Sequence, residues 1–136
     1  MIGVLGQCDG LMRSDFQTLG HLQVVPLGWP LSVKRLWHTW RLIGRHQPLS
    51  VVSYTFNVQA LPLCWMARLL GVPSVFMRVG NPPSSRAKDL QSWIWIIRLS
   101  RWAGIPLISC SAAVHQQMAL LAPLPRGSMF ISNGCD

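Results

Sequence analysis

Residues 60–81, ALPLCWMARLLGVPSVFMRVGN, contain one complete unit of the fold. The apolar spacing of Ala60–Leu70 predicts a helix. Gly71 directly after it and Pro73 two residues later are strong helix-stop signals, because glycine adopts the left-handed cap conformation and proline cannot continue a helix. Ser74–Val79 is then an apolar run of strand length. The stretch therefore predicts a helix followed at once by a buried strand.

The same alternation extends along the chain. Four further runs predict strands and three further patterns predict helices: Leu22–Leu27, Leu49–Tyr54, Pro106–Cys110 and Ser128–Ser132 as strands, and Ser32–His46, Leu90–Ala103 and Ala112–Leu121 as helices. Strands that alternate with helices indicate βαβ units and a parallel sheet, and right-handed crossovers put helices on both faces. We expect an α/β, Rossmann-like three-layer domain with a mostly parallel sheet, forming a single partial domain over residues 1–136.

The charge of the chain is strongly positive. The chain contains twelve Lys and Arg but only four Asp and no Glu, which gives a net charge of +8. Only 12% of its residues are charged, against about 25% in typical globular domains. An excess of this sign favours an anionic partner such as phosphate, nucleic acid or an acidic membrane surface. The long uncharged stretches are interrupted by polar residues and Pro, so they do not predict membrane spans.

The four cysteines do not predict a metal site or a disulfide framework. Cys8, Cys64, Cys110 and Cys135 contain no CxxC pair and lie far apart in the sequence. Cys64 falls in a helical pattern and Cys110 ends a strand pattern, so both are interpreted as small buried apolar residues. No signal peptide pattern precedes the body. A reduced cytoplasmic chain, or one peripheral at the inner face of a membrane, fits these observations.

The helix predicted over Ser32–His46 combines an apolar stripe with a basic face. Its apolar positions are Val33, Leu36, Trp37, Trp40 and Ile43, and its membrane-surface candidates are Lys34, Arg35, Arg41 and Arg45. Basic amphipathic helices of this kind lie on anionic bilayers. The simpler interpretation is an ordinary surface helix whose tryptophans pack on the sheet.

Several segments in order resemble the N-terminal half of the family 4 glycosyltransferases of GT-B architecture. They are SYTFN at 53–57, ARLLGVP at 67–73, SVFMR at 74–78, LISCS at 107–111 and ISNGCD at 131–136. The resemblance covers about residues 20 to 136. It implies a Rossmann-like domain that carries the acceptor side of a cleft, while a second domain binds a nucleotide-sugar donor. The transferred sugar would pass to a glycan or lipid-linked acceptor, as in polysaccharide biosynthesis, with no cofactor besides the donor substrate.

The chain departs from that family at both ends. Met1–Gly6 resembles a truncated second strand more than the family's opening strand and glycine-rich loop, and the acidic donor-binding element of the second domain has no counterpart here. We therefore expect the isolated chain to be inactive in transfer. The donor sugar, the acceptor, the linkage and the stereochemical outcome are left open, and no catalytic residue is assigned.

The cleft candidates follow strand ends, where α/β sheets bind their ligands. They are Thr55, Arg78, Gly80, Asn81, Ser111, Asn133 and Gly134. The Arg78 guanidinium can hold a phosphate or a sugar hydroxyl in bidentate fashion, or it is a solvated strand-end charge. Gly80 and Asn81 can bring backbone N–H groups to a ligand, or form only a turn. Ser111 faces the cleft or only caps the next helix. Asn133 and Gly134 resemble the family's crossing point between domains, or form a plain turn.

Three function classes compete on this sequence. Glycosyl transfer is favoured by the resemblance. A non-catalytic binding module, docking on another chain or an anionic membrane, is the alternative. A nucleic-acid binder agrees with the charge but has no recognisable motif, and a dinucleotide-dependent reductase lacks a GxGxxG after a strand.

Overall fold

The structure, a computed structural model, describes residues 2–6, 22–26, 33–83 and 86–132; within the first two ranges and at Lys34 and Arg35 it describes the backbone alone. Six strands and four helices occur there. The strands are β1 (Ile2–Gly6), β2 (Leu22–Pro26), β3 (Ser50–Ser53), β4 (Ser74–Val79), β5 (Leu107–Ser109) and β6 (Met129–Phe130). The helices are α1 (Val33–His46), α2 (Ala60–Leu69), α3 (Ala87–Trp102) and α4 (Ala112–Leu121).

The strands pair in parallel throughout the described residues. β1 pairs with β2, and β3, β4, β5 and β6 form a four-stranded sheet in that order. The protein is thus α/β and belongs to the Rossmann-like three-layer class that the sequence predicts. β1 also lies beside β3. No strand pairing joins the two sheets among the described residues.

The core lies between the four-stranded sheet and the helices. Val75, Met77 and Val79 alternate along β4 and are buried against helix residues such as Ile97 and Met118. Strand side chains alternate between the two faces of a sheet, so Phe76 and Arg78 point to the opposite face from this core. Successive right-handed crossovers in one direction keep α2, α3 and α4 in one helical layer.

The helix stops predicted from glycine are confirmed. Gly71 and Gly104 have φ angles of +81° and +65°, the left-handed conformation that other residues avoid. At the end of α2, the N–H groups of Gly71 and Val72 donate to the carbonyls of Arg68 and Ala67. These bonds close the helix and turn the chain directly into β4.

The inward face of α1 differs from the prediction. Leu36, Thr39 and Ile43 turn inward, whereas Trp37 and Trp40 are 52% and 49% exposed. The two indole rings meet edge to face, with centroids 5.4 Å apart. The prediction that these tryptophans pack on the sheet was wrong. The face of α1 that is buried is the narrower stripe formed by Leu36, Thr39 and Ile43.

Smaller differences concern element ends and one cysteine. α3 begins at Ala87, one turn before the predicted Leu90, and β6 has two residues where five were predicted. Among the described strands, β6 pairs with β5 alone. Cys64 is buried as predicted, but Cys110 is only half-buried, since its strand has already ended.

Candidate functional site

The carboxyl ends of three neighbouring strands form one rim of the sheet. Ser53 is in register with Met77, and Val79 with Ser109. The segments after β3, β4 and β5 therefore emerge side by side. Tyr54 and Gly80 begin the first two of these segments, and Cys110 begins the third.

A cleft of about 690 Å³ opens at this rim. Three elements line it: the segment after β3, the end of β4 with its following turn, and residues 89–96 of α3. They contribute, in that order, Tyr54, Phe56 and Asn57; Arg78, Val79, Gly80, Asn81 and Pro82; and Asp89, Ser92, Trp93 and Ile96. Arg78, Gly80 and Asn81, which the sequence predicted as one strand end and its following loop, all line this cleft.

Arg78 is the cation of the cleft. Its guanidinium carbon lies 5.6 Å from the centroid of the Tyr54 ring, within cation–π distance. A Cβ added at Gly80 would lie 3.6 Å from Nη1 of Arg78, so the guanidinium also runs close along the backbone at Gly80. The register that aligns β3 with β4 explains the pairing, because Tyr54 and Arg78 occupy neighbouring positions on the same face of the sheet.

An aromatic pair forms the apolar wall of the cleft. The rings of Phe56 and Trp93 are 4.4 Å apart between centroids, at 54°. Asn57 stands beside them and accepts the Ala60 N–H through Oδ1 at 2.9 Å, which fixes the start of α2. Since Oδ1 is engaged in this bond, the amide nitrogen of Asn57 is the group that can donate to a ligand.

A hydrogen bond from Cys110 holds the loop after β4 in place. Its thiol donates to the Gly80 carbonyl at 2.7 Å, and its N–H donates to the Val79 carbonyl at 3.1 Å. The Gly80 carbonyl therefore points toward the end of β5. This bond anchors the loop on the side away from the Arg78 guanidinium. The cleft is therefore bounded by a fixed backbone at Gly80.

Two predicted site residues lie at the rim and serve local structure. The Ser111 hydroxyl accepts the Val114 N–H at 3.3 Å and caps α4, the simpler of its two predicted roles. Thr55 is tied to Ser53, whose hydroxyl donates to the Thr55 carbonyl at 3.1 Å. Neither lines the cleft. Asn133 and Gly134 lie outside the described residues.

The membrane-surface candidates on α1 are only partly described. Arg41 and Arg45 are exposed on the helix surface, while the side chains of Lys34 and Arg35 lie outside the description. Among the described residues no helix is long and apolar enough to cross a membrane. The same part of the chain holds no group of three or more His, Cys, Asp or Glu side chains arranged for a metal ion.

Phe56, Asn57 and Trp93 were not predicted as cleft residues. Phe56 and Asn57 belong to the segment 53–57, which carries the family resemblance. Asn57 also comes shortly before a helix start, so the sequence already marked this segment as a candidate. Trp93 looked like one more core position of its helix. Only the packing of α3 against the segment after β3 brings it to the rim.

Comparison with known proteins leaves the family open. No protein family model matches the chain, and no curated protein or solved structure matches it significantly.

Proposed function

We propose that this chain forms the acceptor-side half of a glycosyltransferase of GT-B architecture, similar to family 4. The observation that carries the proposal is the meeting of Arg78, Gly80 and Asn81 in one cleft at the carboxyl rim of a parallel sheet. Ligands of open α/β sheets bind at that rim. The resemblance in the segments around residues 53–57 and 74–78 points to the same rim independently of the cleft.

The cleft has the chemistry that a glycan or lipid-linked acceptor needs. The aromatic pair Phe56–Trp93 offers an apolar wall, and the Arg78 guanidinium can hold a phosphate or hydroxyl oxygen with two parallel hydrogen bonds. The exposed lining of the cleft is more polar than apolar, and polar groups beside an aromatic wall can fix the orientation of a small ligand. In this proposal the chain contributes positioning of the acceptor, and a nucleotide-sugar domain contributes the donor and the stabilisation of the leaving diphosphate.

The test is sugar transfer from radiolabelled nucleotide-sugars to a panel of glycan and lipid-linked acceptors. The chain is assayed alone, with a matched nucleotide-sugar domain supplied in trans, and with that domain after Arg78→Ala. We expect product only with both halves, and less of it with Arg78→Ala. Arg126→Ala is the matched control, because Arg126 is exposed and lies outside the cleft.

A non-catalytic binding module is the second candidate, favoured by the net charge of +8. It predicts no transfer in any combination of halves. It also predicts that Arg78→Ala and Arg126→Ala lower binding to an anionic partner equally. Sugar transfer by the isolated chain would contradict the proposal, which needs a second domain to bind the donor. It would also contradict the alternative, which has no catalytic activity.

A further inference from the structure

The second and third helices share a short pattern. Residues 65–69 are Trp-Met-Ala-Arg-Leu and residues 95–99 are Trp-Ile-Ile-Arg-Leu, so each helix carries Trp, Arg and Leu at positions i, i+3 and i+4. Residues with this spacing lie on one face of a helix. In both helices the two residues between Trp and Arg turn toward the protein: Ala67, Ile96 and Ile97 are buried and Met66 is half-buried.

These two faces point outward and join. Trp65 is 45% exposed, Leu69 73% and Trp102 74%, and Trp95 and Leu99 are exposed as well. The rings of Trp65 and Trp102 meet with centroids 5.5 Å apart at 61°, which links α2 to α3. We call this surface the tryptophan–arginine patch; it comprises Trp65, Arg68, Leu69, Trp95, Arg98, Leu99 and Trp102.

The charge of the patch is of one sign. Arg68 and Arg98 are both exposed, and Asp89, the one acidic residue among the described residues, lies outside the patch. Asp89, the acidic residue of α3, lies in its first turn and lines the cleft. Contiguous exposed apolar side chains mark interaction sites, and the cationic rim selects an anionic partner.

We propose that the tryptophan–arginine patch docks on an anionic lipid bilayer. Tryptophan side chains favour the membrane–water interface, and arginines near such a surface bind anionic headgroups. The exposed leucines decide against nucleic acid, because stacking on bases uses aromatic rings and arginine but offers nothing to aliphatic side chains. The proposal does not depend on glycosyl transfer, and it uses a surface other than the α1 residues selected from the sequence.

The test is sedimentation with vesicles of phosphatidylcholine alone and of phosphatidylcholine mixed with phosphatidylglycerol. Three double variants are compared, each lowering the net charge from +8 by two, to +6: Arg68→Gln/Arg98→Gln in the patch, Arg41→Gln/Arg45→Gln on α1, and Lys88→Gln/Arg126→Gln outside both. All six side chains are exposed, so the variants should fold, which circular dichroism checks.

We expect binding to the mixed vesicles only, weakening as salt rises. The patch double should lower the partition coefficient about 25-fold, about fivefold for each arginine, and the Lys88/Arg126 double should lower it much less. Trp102→Ser should also weaken binding, although it changes no charge.

Five results would overturn the proposal, and the first four concern the patch itself. Two of these four concern the vesicles: no binding to the mixed vesicles, and an equal loss of binding in the patch double and the Lys88/Arg126 double. The other two concern another partner: short single-stranded RNA that binds Arg68 and Arg98 and displaces the chain from the vesicles, and a dimer in solution that the patch double dissociates. Loss of binding in the α1 double alone would move the docking surface to α1 and would equally overturn the patch.

Discussion

The thiol of Cys64 should resist alkylation in the folded protein. Cys64 lies on α2 against the sheet and is 1% exposed. Burial raises the pKa of this thiol from 9.0 to about 12, and a hydrogen bond with Ser53 offsets only part of the rise. Because the thiolate is the reactive form, the reactive fraction at about pH 8 falls from about one in ten to about one in ten thousand. Alkylation should therefore be at least about 1000-fold slower than in the unfolded chain.

The assay is iodoacetamide labelling of the native and urea-unfolded chain, with the Cys64 peptide quantified by mass spectrometry. The unfolded chain is the control, since it contains the same thiol without the burial. A native rate within about tenfold of the unfolded rate would refute the packing of α2 on the sheet, because the ionisation effect alone is larger than that.

The same shift in pKa makes the protein less stable at high pH. Above about pH 9 the unfolded chain loses the Cys64 proton while the folded chain keeps it, so unfolding releases a proton and the free energy of unfolding falls by about 1.4 kcal/mol per pH unit. The loss should reach about 2 kcal/mol by about pH 10.5. Urea unfolding of the parent and of Cys64→Ala across this range measures it. A parallel pH dependence in the two proteins would contradict the shift.

Three further predictions concern stability, the cleft and α1. Ser100→Ala should raise the free energy of unfolding by about 1 kcal/mol, because the buried Ser100 hydroxyl has no hydrogen-bond partner among the described residues. The control is Ser92→Ala at an exposed position of the same helix, which should give only the helix-propensity gain of about 0.5 kcal/mol. Equal gains in the two variants would contradict the reasoning. Arg78→Ala should weaken ligand binding in the cleft, because its guanidinium is the cation of the cleft lining; unchanged binding would contradict this role. Arg41→Gln/Arg45→Gln should reduce vesicle sedimentation less than Arg68→Gln/Arg98→Gln, and an equal reduction would show that charge acts without a specific surface.

Much of the fold follows from local signals in the sequence. Gly71 and Gly104 end their helices in the left-handed conformation. Glycine adopts this conformation at little cost, whereas residues with a Cβ avoid it. Ser111 caps its helix through a hydrogen bond to a residue three positions away, which a sequence pattern can specify. The alternation of such units predicts the parallel sheet, since short connections and right-handed crossovers leave few other arrangements.

The inward face of α1 and the walls of the cleft were harder to predict. Trp37 and Trp40 are apolar enough to suggest the core, yet the helix turns Thr39 inward, because packing against neighbouring elements selects the face and hydropathy alone does not. The wall formed by Phe56 and Trp93 joins residues from two elements that are distant in sequence. No local pattern identifies such a pair until the register and the helix packing are known.

The central claim is that the cleft at the carboxyl rim binds a glycan acceptor. Heteronuclear NMR of the chain, titrated with a panel of oligosaccharides and short-chain lipid-linked sugars, tests it most directly. We expect saturable shifts at residues that line the cleft, and their loss in Arg78→Ala; these residues are Tyr54, Asn57, Arg78, Gly80 and Trp93. Nucleotide-sugars should shift the same signals only weakly. Saturable shifts confined to other surfaces, or no shifts with any member of the panel, would contradict the claim.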